Sequence, residues 1–127
     1  HPNVPIGKYT VACLASMAKD PRFGADFAGR VEKNFVSLEP NVKAVAAKVY
    51  FEEADAGIVY RSDVTPRLAR VAIAFDIPPP FNVVASYPIA VVKTSMVVQP
   101  AASFIQFLLT AQARSTLSKQ NFAPPGP

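Results

Sequence analysis

Three short stretches of the sequence carry groups suited to holding an anion. Val4-Pro5-Ile6-Gly7-Lys8-Tyr9 sets a proline and a glycine at the start of a helical pattern. The first backbone N–H groups of a helix have no acceptor inside it, and with the positive end of the helix dipole they form an anion site. Asn41-Val42-Lys43 opens the next long helical pattern with the same physics, Asn41 being a preferred capping residue. Tyr60 closes the apolar run Gly57-Ile58-Val59-Tyr60, at the edge where open α/β sheets place their ligands, and its phenol can donate one hydrogen bond. Each signal alone also has an ordinary explanation. Every helix has unpaired first amides, and a tyrosine at a strand end is commonly a core-edge residue. Lys8 and Lys43 oppose the helix dipole from first-turn positions, a conflict that a bound anion removes.

The sequence lacks the constellations of catalysis. His1 is the only histidine and stands at the first position, so a nucleophile has no histidine base to recruit. There is no G-x-S-x-G, no G-x-G-x-x-G and no phosphate-binding loop. Glu52, Glu53 and Asp55 cluster near a predicted helix end, where such a group is ordinarily a solvated face. Cys13 is the single cysteine, which rules out an internal disulfide, and without a Cys/His cluster a zinc site is not expected. The chain is therefore predicted to be a non-enzyme with no cofactor and no metal. The formal net charge is +4, yet the basic residues are scattered singly from Lys8 to Lys119 with no run of three, so no nucleic-acid partner is expected.

These groups must be positioned by a chain of 127 residues, half of them apolar and 17% charged, which suits one domain with a buried core. The apolar stretches fall far short of the roughly 20 residues of a membrane span. The start at His1, without a methionine, suggests a truncation or cleavage point. Thirteen prolines parse the chain into elements. Tyr9, Cys13 and Met17 recur at four-residue spacing, predicting a helix from Gly7 to about Lys19, closed by Asp20-Pro21. Residues 20–30 read as a loop with a short helical turn. A strand is expected at 35–38, a helix from Val42 to about Glu53, and a strand at 57–60. Together they form a right-handed βαβ unit. Further strands are expected at 71–75 and 88–93. A helix after Pro100 has Phe104, Phe107, Leu108 and Leu109 on its apolar side, and another spans about Ala111 to Lys119, stopping at Asn121. The fold class is α/β.

Five segments in this order resemble the periplasmic molybdate-binding proteins of ABC importers, a two-lobed family of periplasmic binding proteins. Residues 1–9 resemble the family's D-P-x-H-V-P-A-G-x-Y, and Glu39-Pro40-Asn41-Val42-Lys43-Ala44-Val45 is similar to its E-N-V-R-x-A-L. Residues 53–63 (Glu53 to Asp63) resemble its G-E-A-D-A-G-I-V-Y-x-(S/T)-D most closely. Tyr87 to Val92 and Ala101 to Phe122 resemble its Y-P-V-A-V strand and its closing A-A-x-x-F-x-x-F-L-L-S-x-x-A-Q…Y-G-F. The resemblance implies a mainly parallel sheet flanked by helices, incomplete relative to the two-lobe family. Residues 1–93 would form the second lobe, 94–122 the helices at the lobe seam, and 123–127 a disordered tail. It implies that the backbone N–H groups of Ile6 and Val42 and the hydroxyl of Tyr60 bind molybdate or tungstate. It also implies export to the periplasm or cell surface and a membrane permease as partner.

Ile6 stands where the family usually has alanine, which leaves the N–H unchanged but bears on pocket size. The family's N-terminal lobe has no counterpart in these residues, so the chain is expected to hold half a cleft and to bind molybdate weakly or not at all. The apolar surface such a lobe covers is then expected to invite dimerisation or a domain swap. Three alternatives stay open on the sequence: a receptor for another oxyanion such as sulfate, the effector-sensing domain of a transcription regulator, or a module without a ligand.

Overall fold

The computed structural model describes residues 1–124. Helix α1 spans Pro5–Met17. Pro5 occupies its first position, where the missing N–H costs nothing and the fixed φ suits the helix. Its buried stripe is Ile6, Cys13 and Leu14, with Tyr9 and Met17 half-buried beside it. Burial pushes the Cys13 thiol above its ordinary range, as expected for an inert core cysteine. Beyond α1 the Asp20 carboxylate accepts from the Arg22 backbone N–H at 2.9 Å and from its guanidinium at 2.7 Å, which holds the carboxyl down at about 2. Helix α2 (Phe27–Glu32) follows, in the stretch expected to hold only a turn. Phe23, between the two helices, packs on Phe27 at 4.9 Å and on buried Phe81 at 5.4 Å between ring centroids.

Helix α3 spans Val42–Tyr50 and starts as expected: the Asn41 side chain accepts from the Ala44 N–H at 2.9 Å. It ends sooner than Glu53 because Glu52 turns left-handed, with φ 59°. The Glu53 N–H then donates back to the Lys48 carbonyl at 2.8 Å, closing the helix as a left-handed cap does, and the Glu53 side chain pairs with the Lys48 ammonium. That hydrogen bond, with the Glu53 and Glu39 charges, raises the Lys48 pKa. Gly57 lies against α3 so closely that a Cβ there would stand 2.8 Å from the Val45 side chain and 3.1 Å from that of Val49. Two short 3-10 turns follow, Arg61–Asp63 and Leu68–Arg70.

The chain divides into two compact units, His1–Val84 and the residues from Ala85 onward. In the second, α4 spans Val98–Leu108 with Pro100 in its first turn, and α5 spans Ala111–Lys119. Ala101, Ile105 and Leu108 are half-buried on α4, whereas Phe104 and Phe107 of the expected apolar side are exposed. Thr110 caps α5 by accepting from the Ala113 N–H at 3.3 Å, and Ala113 is buried. The helix stops at Asn121, which turns left-handed at φ 61° as its position suggested. The tail expected at 123–127 lies from residue 125 outside the described residues.

The α/β expectation, a mainly parallel sheet flanked by helices, is overturned. The structure is 44% helix, and the described residues contain no strand. The segments 35–38, 57–60, 71–75 and 88–93 belong to no hydrogen-bonded ladder, so the βαβ unit does not form. A strand needs a neighbouring strand to accept and donate its backbone hydrogen bonds, and no described segment supplies one. Their apolar side chains stay largely uncovered: Val36 is 73% exposed, Ile73 83% and Phe75 85%. β-branched and aromatic runs report fitness for a half-buried pleated surface, and pairing is a separate, non-local requirement.

Candidate functional site

The residues singled out from the sequence all lie in the first unit. Ile6 is the second residue of α1, with its side chain buried. Val42 is the first residue of α3. Tyr60 precedes the 3-10 turn Arg61–Asp63, in extended conformation at φ −74° and ψ 152°.

Helix ends decide which amides are available. In α1 the first helical hydrogen bond is made by the Lys8 N–H, to the Val4 carbonyl at 3.1 Å. In α3 the Asn41 side chain takes the Ala44 N–H, and the Asn41 carbonyl takes the Val45 N–H at 3.3 Å. The N–H groups of Ile6 and Val42 have no acceptor among the described residues. Neither helix carries an acidic residue in its first turn, whereas Lys8 and Lys43 sit there, so the field at both starts is positive.

Three contacts link the segments that carry these positions. The His1 nitrogen donates to the Glu39 carbonyl at 3.0 Å, joining the segment before α1 to the segment before α3. The Val4 N–H donates to the His1 carbonyl at 3.1 Å, which turns that segment into the start of α1. The ring of Tyr9, one turn along α1 from Ile6, meets the ring of Tyr60 edge-on, with centroids 6.3 Å apart and planes at 69°. Tyr60 is itself held from two sides. Its N–H donates to the Asp63 carboxylate at 3.2 Å and its carbonyl accepts from the Asp63 N–H at 2.9 Å. Upstream, Gly57 keys the backbone onto α3.

Two of these parts do not follow from the sequence reading. The four-residue spacing marks Tyr9 only as part of a helix face, although its distance from Ile6 puts both on the same side of α1. Gly7 admits the backbone of His1, since a Cβ there would stand 2.0 Å from the His1 carbonyl oxygen. Among the described residues no group of three or more His, Cys, Asp or Glu side chains is placed to hold a metal ion, and no helix is long and apolar enough to cross a membrane. The two helix starts present N–H groups in a positive field, a chemistry suited to an anion.

No curated protein and no solved structure matches the chain. A family model, described as bacterial extracellular solute-binding protein, matches residues 1–123.

Proposed function

The chain belongs to the bacterial extracellular solute-binding proteins, and from that premise we propose that it is the substrate-binding component of an ABC importer for molybdate or tungstate. The family is one of binders and not of enzymes, and it acts outside the cytoplasm. Its role implies a solute and a membrane permease as partners.

One observation carries the choice of an oxyanion. Two helix starts with unpaired amides and no acidic residue in the first turn are joined through His1 and the Glu39 backbone, and Tyr60 packs on Tyr9, one turn along the first of them. Molybdate at neutral pH is a dianion without a proton to donate, so a site made only of donors suits it. The N–H groups of Ile6 and Val42 and the hydroxyl of Tyr60 are the donors contributed by these residues. No carboxylate is needed, in contrast to a site for a protonated phosphate. Size separates molybdate and tungstate from sulfate: donors fixed for the larger anion lose hydrogen-bond length and angle around the smaller one.

The test is calorimetry on the complete protein and its Tyr60→Phe variant. Phenylalanine keeps the ring and its edge contact with Tyr9 and removes only the hydroxyl. A charge-assisted hydrogen bond contributes about 1.5–3 kcal/mol, so molybdate affinity should fall by at least about tenfold while the fold stays intact. Unchanged affinity removes Tyr60 from the site.

A further inference from the structure

We propose that residues 70–76 are a self-pairing edge, through which two copies of this chain associate about a two-fold axis in an antiparallel ladder centred on Ile73. The proposal does not depend on which solute the protein binds.

Arg70-Val71-Ala72-Ile73-Ala74-Phe75-Asp76 has a positive charge at one end, a negative charge at the other and only apolar residues between. Turned antiparallel against its own copy about Ile73, the segment sets Arg70 of each chain opposite Asp76 of the other. A parallel pairing would set like charges side by side instead. Side chains alternate between the faces of a strand, so both Arg–Asp pairs share a face with Ala72 and Ala74, whose small side chains leave room for a long guanidinium. The other face sets Val71 opposite Phe75 and Ile73 opposite Ile73. In the single chain these three are 56%, 85% and 83% exposed in that order, and pairing brings them into mutual contact.

The backbone fits the same register. The N–H and C=O of Ile73, the N–H of Phe75 and the C=O of Val71 have no hydrogen-bond partner among the described residues. In an antiparallel pair centred on Ile73 these groups share one edge. Ile73 exchanges both of its bonds with its counterpart, and each Phe75 N–H meets the other copy's Val71 carbonyl. The Val71 N–H is already taken by the Leu68 carbonyl at 3.0 Å. Val71 stands at φ −119° and ψ −15°, so a change in ψ alone extends it. Asp76 faces Arg61 at 3.7 Å, with both side chains more than two-thirds exposed. An ion pair so exposed contributes little, and Asp76 can exchange it for the second copy's arginine. The association supplies the neighbouring strand that the single chain lacks.

The experiment is sedimentation velocity on the 127-residue chain over a concentration series, with Arg70→Asp, Asp76→Arg and an equimolar mixture of the two variants. The parent should pass from monomer to dimer as concentration rises. Each reversal sets like charges opposite each other at both ends of the ladder, so the dimer dissociation constant should rise by about tenfold or more. In the mixture every reversed residue meets an opposite charge on the other chain, so a heterodimer should form with about the parent's affinity. A variant that had merely lost its fold would not be rescued by mixing with another. A parent that stays monomeric throughout, reversals that leave association unchanged, or a mixture that associates no better than its components would each overturn the proposal.

Discussion

Replacing Val42 with proline should leave the fold standing and weaken oxyanion binding by about ten- to a hundredfold. The expectation follows from where Val42 sits. It is the first residue of α3, a position where proline is favoured because that amide bonds nothing within the helix. Proline also requires the residue before it to be extended, and Asn41 is already so, at φ −157° and ψ 162°. The Asn41 cap uses the Ala44 N–H, which the substitution leaves in place. Val42→Pro therefore deletes one donor and little else. If that donor reaches the anion, its loss removes a charge-assisted hydrogen bond of about 1.5–3 kcal/mol. Val42→Ala keeps the N–H and should bind as the parent does. Calorimetry gives the affinities, and far-ultraviolet circular dichroism confirms that α3 persists. Equal binding by the proline and alanine variants would show that the anion does not use this amide.

Gly7→Ala should be the most damaging small substitution at the site, lowering both melting temperature and anion affinity. Two effects compete. Alanine is a better helix former than glycine by about 1 kcal/mol, which favours the variant. Against it, the new Cβ would stand 2.0 Å from the His1 carbonyl oxygen, 2.7 Å from its carbon and 3.1 Å from the Pro2 Cα. These are backbone atoms, which cannot step aside as a flexible side-chain end does. Overpacking of this kind costs typically about 1–3 kcal/mol, occasionally more, so the clash outweighs the propensity. Relief requires the turn from His1 to Val4 to open. That turn also carries the His1–Glu39 hydrogen bond joining the starts of α1 and α3. Gly29 supplies the control. It lies inside α2, where an added Cβ would meet nothing within 4 Å, so Gly29→Ala should be neutral or mildly stabilising. Thermal melts of the two variants, followed by molybdate titration, separate the effects. A Gly7→Ala variant as stable as Gly29→Ala would show that the turn before α1 is not fixed as described.

The helices were largely legible in the sequence and the strands were not, for a physical reason. Helical hydrogen bonds are local, so Pro5, the Asn41 cap and the Asn121 stop announce themselves in the residues nearby. Helix α5 has the bounds its residues suggest, from Ala111 to Lys119. Where the local signal was weak the boundaries moved. Helix α2 exceeds a single turn, and α3 stops before Glu52, a residue whose side chain gives no warning of a left-handed conformation. Val71-Ala72-Ile73-Ala74-Phe75 has the composition of a strand, but composition cannot supply a partner, and the segment stays unpaired. The candidate site divides in the same way. Ile6 and Val42 follow from helix starts, and Tyr60 from its place after an apolar run. The contacts that join them, His1 with Glu39 and Tyr9 with Tyr60, link residues 38 and 51 positions apart, and no local pattern encodes such pairs. The proposal of molybdate as the solute rests on the resemblance and on a site made only of donors.

The central claim is that the amides at the starts of α1 and α3 and the phenol of Tyr60 serve one anion. It is tested most directly by titrating the isotope-labelled complete protein with molybdate while following the amide resonances of Ile6 and Val42 and the ring of Tyr60. All three should shift along a single saturation curve, with one dissociation constant and one anion per chain. Saturating binding that leaves these resonances unmoved, or curves that saturate at different concentrations for the two amides, would contradict it.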